Sequence, residues 1–169
     1  MLNAMTKGID FLIDKQGQLT SFLIVPLLLI VLYEVLMRYA FNAPTVWGFE
    51  ATAFAYGMHY MLGLSFMENA QGHVKVDIIT ARLSQKTQAA VYLLGYLIIF
   101  MPVFVLMTWG AIKFAHTAVI TNELNSTSWA PRIWPYKIIM AMSFFLLVVQ
   151  GLSTMLKYLK ILTGSLENE

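Results

Sequence analysis

Long apolar runs separated by polar turns organise this chain. The first run extends from about Leu19 to Tyr39, and the turn Asn42-Ala43-Pro44-Thr45 closes it. Proline cannot continue a helix and biases the residue before it away from helical geometry. Since a bilayer-spanning helix takes about 20 predominantly apolar residues, the pattern predicts four transmembrane helices, at about 19–39, 46–67, 90–113 and 135–158. The expected fold is a single all-α integral membrane domain over residues 1–169. Pro135 suits a first helical turn, where its missing N–H costs nothing. Pro26 and Pro102 fall inside spans one and three and each predicts a kink. The stretch before Leu19, with Lys7, Asp10, Asp14 and Lys15, reads as a polar tail ahead of an uncleaved span, because no short apolar core with a small-residue cleavage site is evident.

The segment between spans two and three has its own periodicity. Val76, Ile79 and Leu83 share one helical face, while Lys75, Arg82 and Lys86 form a second stripe beside it. Basic stems at that angle lie along apolar surface with their heads among lipid headgroups. This predicts a short amphipathic helix at about 74–88, lying in the membrane interface.

Composition narrows the class. Of 169 residues, 59% are hydrophobic and 12% charged, against about 25% charged in soluble domains, which excludes a soluble enzyme. Continuous apolar runs, in place of a dyad alternation, exclude a membrane β-barrel. A net charge of +2 is too small for nucleic-acid binding. The absence of cysteine excludes disulfides, thiolate metal sites and cysteine nucleophiles together.

Charge matters here by position. With four spans the termini share one side, which with the second loop holds seven basic residues (Lys7, Lys15, Lys75, Arg82, Lys86, Lys157, Lys160) against four opposite (Arg38, Lys113, Arg132, Lys137). The positive-inside rule then places both termini in the cytoplasm. All four tryptophans, Trp47, Trp109, Trp129 and Trp134, fall at or beyond the outer face. Because Trp is enriched where proteins dock, Trp129 and Trp134, with Glu123 and Lys137 of the long third loop region, are candidate partner-docking residues.

Ionisable groups within spans are the first suspects for chemistry, because each costs at least about 2.5–3.5 kcal/mol at mid-bilayer. Glu34 precedes Arg38 by four residues, a spacing that predicts an ion pair on one helix face. Glu50 lies in the first turns of span two, where the helix dipole favours an acid. His59 sits near the middle of that span and is expected to hydrogen-bond a neighbouring helix, since His116 lies too far off in depth to share a haem with it. Small residues at Ala51 and Ala55, and at Ala53 and Gly57, let another helix approach span two closely. Read one helix at a time, the spans offer no convergent polar cluster.

The residues also resemble a known family. The run Arg38-Tyr39-Ala40-Phe41-Asn42-Ala43-Pro44, followed by Trp47-Gly48-Phe49-Glu50, Gly63, and Gly72-His73-Val74-Lys75-Val76-Asp77, resembles the small membrane subunit of TRAP transporters, the tripartite ATP-independent periplasmic carriers. Weaker likeness extends to Glu123, Ser128, Trp129, Pro135, Lys137 and Gln150-Gly151. The resemblance implies a bacterial inner-membrane complex with a larger multi-span transport subunit and a periplasmic binding protein that delivers an organic acid. It implies typically sodium-driven uptake, a scaffold role for the small subunit, and no cofactor or catalytic residue in it. Two rival expectations are a self-sufficient homo-oligomeric transporter coupled through Glu34 or Glu50, and a membrane anchor of a redox enzyme.

Overall fold

The computed structural model describes residues 2–72 and 83–164. Among the described residues six α-helices carry the fold: α1 (Leu2–Ser21), α2 (Ile24–Tyr39), α3 (Gly48–Asn69), α4 (Gln85–Gly95), α5 (Met101–Ile120) and α6 (Trp134–Leu162). A π-helical turn at Tyr96–Phe100 joins α4 to α5. Among the described residues there is no β-strand, only an isolated bridge between Leu124 and Arg132. The long helix α6 is the spine, packing against α1, α3, α4 and α5, while α3 also touches α1 and α2.

Among the described residues three helical stretches are long and apolar enough to cross a membrane: Asn3–Tyr39, Gln85–Ile120 and Trp134–Leu162. At 22 residues α3 is about 33 Å long, enough for a crossing, but Glu50, Thr52, Tyr56, His59 and Tyr60 leave it less apolar than the others. It occupies the place of the expected second span.

Element ends differ from the sequence reading in instructive ways. The expected polar tail is helical from Leu2 onward, so the first helical stretch is far longer than 19–39. It breaks at Phe22–Leu23, four residues ahead of Pro26, whose ring excludes the carbonyl of Phe22 from a normal helical bond. That carbonyl accepts from Val25 N–H instead, at 3.1 Å. The third stretch runs from Gln85 to Ile120, beyond 90–113 at both ends. Ser84, extended at φ −61° and ψ 153°, caps α4 through its side chain. A helix over 74–88 therefore cannot run unbroken past Ser84; its body, residues 74–82, lies outside the described residues.

Helix ends follow known chemistry. Asn122, at φ 48°, closes α5 with Glu123 N–H reaching Ala118 O at 3.0 Å and Asn122 N–H reaching Val119 O at 3.2 Å. This left-handed cap satisfies carbonyls that the helix itself leaves open. Asn42, at φ 49°, plays the same part after α2 and brings Ala43 N–H to Met37 O at 2.9 Å.

Packing is inverted relative to a soluble protein. Most buried positions are small or polar, among them Ser65, Ser143, Ser153, Thr154 and Gln150, each at most 1% exposed, with Ile13 and Leu147 as large exceptions. Large aliphatics such as Leu29, Ile98 and Leu106 point outward. Ala111, Ala115 and Ala141 let α5 and α6 meet closely, with Met140 and Phe144 filling beside them. On Gly151 any side chain would strike the Phe100 ring, so the π-turn packs directly onto the α6 backbone.

Candidate functional site

Two polar regions stand out, one at each end of the bundle. At the end where α2 gives way to α3, Arg38 Nη2 donates to Glu34 Oε1 at 2.8 Å, as the four-residue spacing predicts. The other carboxylate oxygen accepts from the hydroxyl and the backbone N–H of Thr45, the latter at 3.3 Å. Thr45 Oγ1 in turn accepts from Gly48 N–H at 3.0 Å and so caps α3. A Cβ on Gly48 would collide with both the Glu34 carboxylate and the Thr45 hydroxyl. Trp47 stacks on Tyr33, centroids 5.7 Å apart. The arrangement locks the corner between α2 and α3; Tyr39, Phe41 and Pro44 remain exposed around it.

The loop between α5 and α6 is tied down at two points. Glu50, 7% exposed in the first turn of α3, accepts from Asn125 Nδ2 at 3.0 Å. Lys137, 5% exposed, donates to Glu123 Oε2 at 2.5 Å while its ammonium lies 3.4 Å from the centre of the Phe114 ring. These bonds hold the loop, whose Trp129 is exposed. Glu123 and Lys137 thus face one another within the chain, and Trp134 opens α6.

The opposite end holds the convergent cluster that single-helix reading missed. Asp10 Oδ1 accepts from Gln150 Nε2 at 3.1 Å and Ser153 Oγ at 2.9 Å, and Oδ2 pairs with Lys157 at 2.8 Å. Gln150 Nε2 also reaches Asn69 Oδ1 at 3.1 Å, and Asn69 Nδ2 donates to Asp10 O at 3.3 Å. Beside it, buried Glu68 accepts from the Tyr96 hydroxyl and from Thr154 Oγ1, the latter at 3.2 Å. Further along α1, Gln16 Nε2 reaches Leu62 O at 3.0 Å, Ser65 Oγ donates to Gln16 Oε1 at 3.1 Å, and His59 Nδ1 lies 3.2 Å from Thr20 O. The expectation of a histidine bonded to a neighbouring helix holds, with α1 as that neighbour. The expectation of no convergent cluster does not: partners lie from 28 residues apart, for Glu68 and Tyr96, to 147 apart, for Asp10 and Lys157, beyond the reach of any local pattern.

Of the remaining motif residues, Gly72 closes α3 by donating to Met67 O at 2.9 Å. Lys86 is exposed in the first turn of α4. His73, Val74, Lys75, Asp77 and Arg82 lie outside the described residues.

Large aliphatic side chains outside, small and polar groups paired inside, and membrane-length helices define a helical integral membrane protein. Residues 27–160 match the family described as tripartite ATP-independent periplasmic transporters, DctQ component. The match covers most of the chain, which therefore belongs to that family: it is a small membrane subunit of a TRAP transporter. The family is one of transporter components of the inner membrane, working with the large DctM subunit and a periplasmic binding protein. A search of the curated proteins gave no match.

Proposed function

We propose that this chain is the membrane-fixed scaffold of its transporter, holding the large transport subunit during sodium-driven uptake of an organic acid delivered by the periplasmic binding protein. Four helices cross the bilayer, with α3 as the second crossing. Both termini and the connection from α3 to α4 face the cytoplasm of a bacterial cell. One observation carries the reading: a set of polar side chains in the bundle interior is spent on ties between helices of the same chain. The cluster around Asp10, Glu68 and Gln150 joins α1, α3, the π-turn and α6. A body against which a partner moves has to resist displacement, and cross-tied helices supply that resistance.

The test is purification in mild detergent from the native membrane, followed by reconstitution. The large subunit should co-purify at fixed stoichiometry. Sodium-driven uptake should require it together with the binding protein. Ion-driven flux from this chain alone, as a homo-oligomer, would overturn the scaffold role and make Glu34 and Glu50 the next residues to change.

Two contact surfaces belong to the same proposal. Lys75, Arg82 and Lys86 hold the chain to anionic lipid at about 1 kcal/mol per basic residue near the surface. Replacing all three with glutamine should lower uptake in anionic proteoliposomes; unchanged uptake with intact assembly would count against the stripe. Trp129, on the loop held by Glu123, Lys137 and Asn125, and Trp134, at the start of α6, form the periplasmic docking face.

A further inference from the structure

The helices differ in what they show to their surroundings. On α2 and α5 the exposed side chains are mainly aliphatic, as at Leu28, Leu32, Leu36, Val105 and Leu106, a surface matched to lipid tails. On α3 the exposed line is Phe49, Ala53, Tyr56, Tyr60 and Met67, with the open notch of Gly63 beside it. At roughly 100° per residue these six fall within an arc of about 80°. No neighbouring atom lies within 4 Å of where a Cβ on Gly63 would stand.

Tyr56 and Tyr60 carry the argument. Their side chains are 51% and 58% exposed and their rings lie 4.4 Å apart. They stand about 12 and 18 Å along a helix of about 33 Å, near the middle of the crossing, whereas tyrosines facing lipid gather at the headgroups. Two adjacent hydroxyls carry two donor protons. If one bonds the other, the second still needs an acceptor, and hydrocarbon offers none. The partner must therefore bring an acceptor oxygen to mid-depth, together with a helix surface narrow enough to enter the notch at Gly63.

We infer that this face of α3 is the surface against which the large transport subunit packs, through a helix presenting a carbonyl or side-chain oxygen near mid-membrane. The inference rests on the scaffold reading. It also accounts for the lower apolarity of α3: a helix covered by this chain on one side and by a partner on the other meets little lipid.

The chain has no cysteine, so an introduced one takes a benzophenone label uniquely. Tyr56→Cys and Tyr60→Cys on α3, with Val105→Cys and Leu106→Cys on α5 as controls, would be labelled and photolysed in membranes that hold the whole transporter. Labels on α3 should capture the large subunit at several times the yield of those on α5. In unlabelled complexes, Tyr56→Phe with Tyr60→Phe should reduce the co-purified large subunit by about threefold or more, the scale of one intramembrane hydrogen bond. Equal or reversed yields, adducts only between two copies of this chain, or lipid adducts alone would overturn the inference if the large subunit still co-purifies with the unaltered chain. Failure of the unaltered chain to hold the large subunit would instead overturn the scaffold reading and this inference with it.

Discussion

Replacing Glu123 with glutamine should destabilise the folded bundle by about 2–3 kcal/mol, whereas Lys137→Met should cost less than about 1 kcal/mol. The asymmetry follows from burial. Lys137 is 5% exposed and its ammonium meets only the Glu123 carboxylate and the Phe114 ring among the contacts described. Without the carboxylate, a buried cation is left to the ring, which offers about 1–2 kcal/mol of attraction at most sites of this kind. Methionine removes the cation and keeps most of the stem's packing. The carboxylate it leaves behind is 37% exposed and can take water instead. Chemical unfolding in micelles of both single variants and the double variant closes the cycle. Equal losses from the two single changes would show that the pair is not held by burial of the lysine.

The second large effect is expected at Glu68. Glu68→Leu removes the one carboxylate oxygen that both the Tyr96 hydroxyl and Thr154 Oγ1 donate to, leaving at least one of the two donors stranded. Each buried unsatisfied donor costs about 1–3 kcal/mol, so the loss should reach about 3 kcal/mol. Glu68→Gln keeps an acceptor oxygen in place and should cost about 1 kcal/mol. Adding Tyr96→Phe to Glu68→Leu removes one stranded donor and should restore part of the loss. The same unfolding measurement decides it: Glu68→Leu within about 0.5 kcal/mol of the unaltered chain would mean that this carboxylate ties nothing.

The polar regions at the two ends of the bundle were unequally legible. Glu34 with Arg38 could be read directly, because four residues along a helix is one turn. Membrane-length helices followed from the apolar runs, since only continuous apolarity satisfies a bilayer. α1 did not read as part of the bundle, because Lys7, Asp10, Asp14 and Lys15 resemble a solvated tail. Yet Thr6, Ile13, Gly17 and Thr20 are buried, with Asp10 half-buried among them. Their spacing of four, three, four and three residues is the seam of a packed helix, written around one isoleucine in small and polar residues where a soluble helix would carry leucines. Scanning for small and polar residues at that spacing would have found α1. Nothing local would have found the partners of Asp10, because Asn69, Gln150, Ser153 and Lys157 come from two other helices.

The π-turn at Tyr96–Phe100 changes how the third crossing is counted. In an unbroken α-helix, Tyr92 and Thr108 would point about 160° apart. Tyr92 nevertheless stacks on Tyr158 of α6, and Thr108 is buried, with Ala111 of the next turn packed against the same helix. The wider turn takes up the difference, as a spare tooth would between two gears cut in different phase. The two halves of this crossing are thus separate rulers. An alignment with a straight-helix relative should open a gap of one residue between Tyr96 and Phe100, and a deletion there would swing the Tyr96 hydroxyl about 100° away from Glu68.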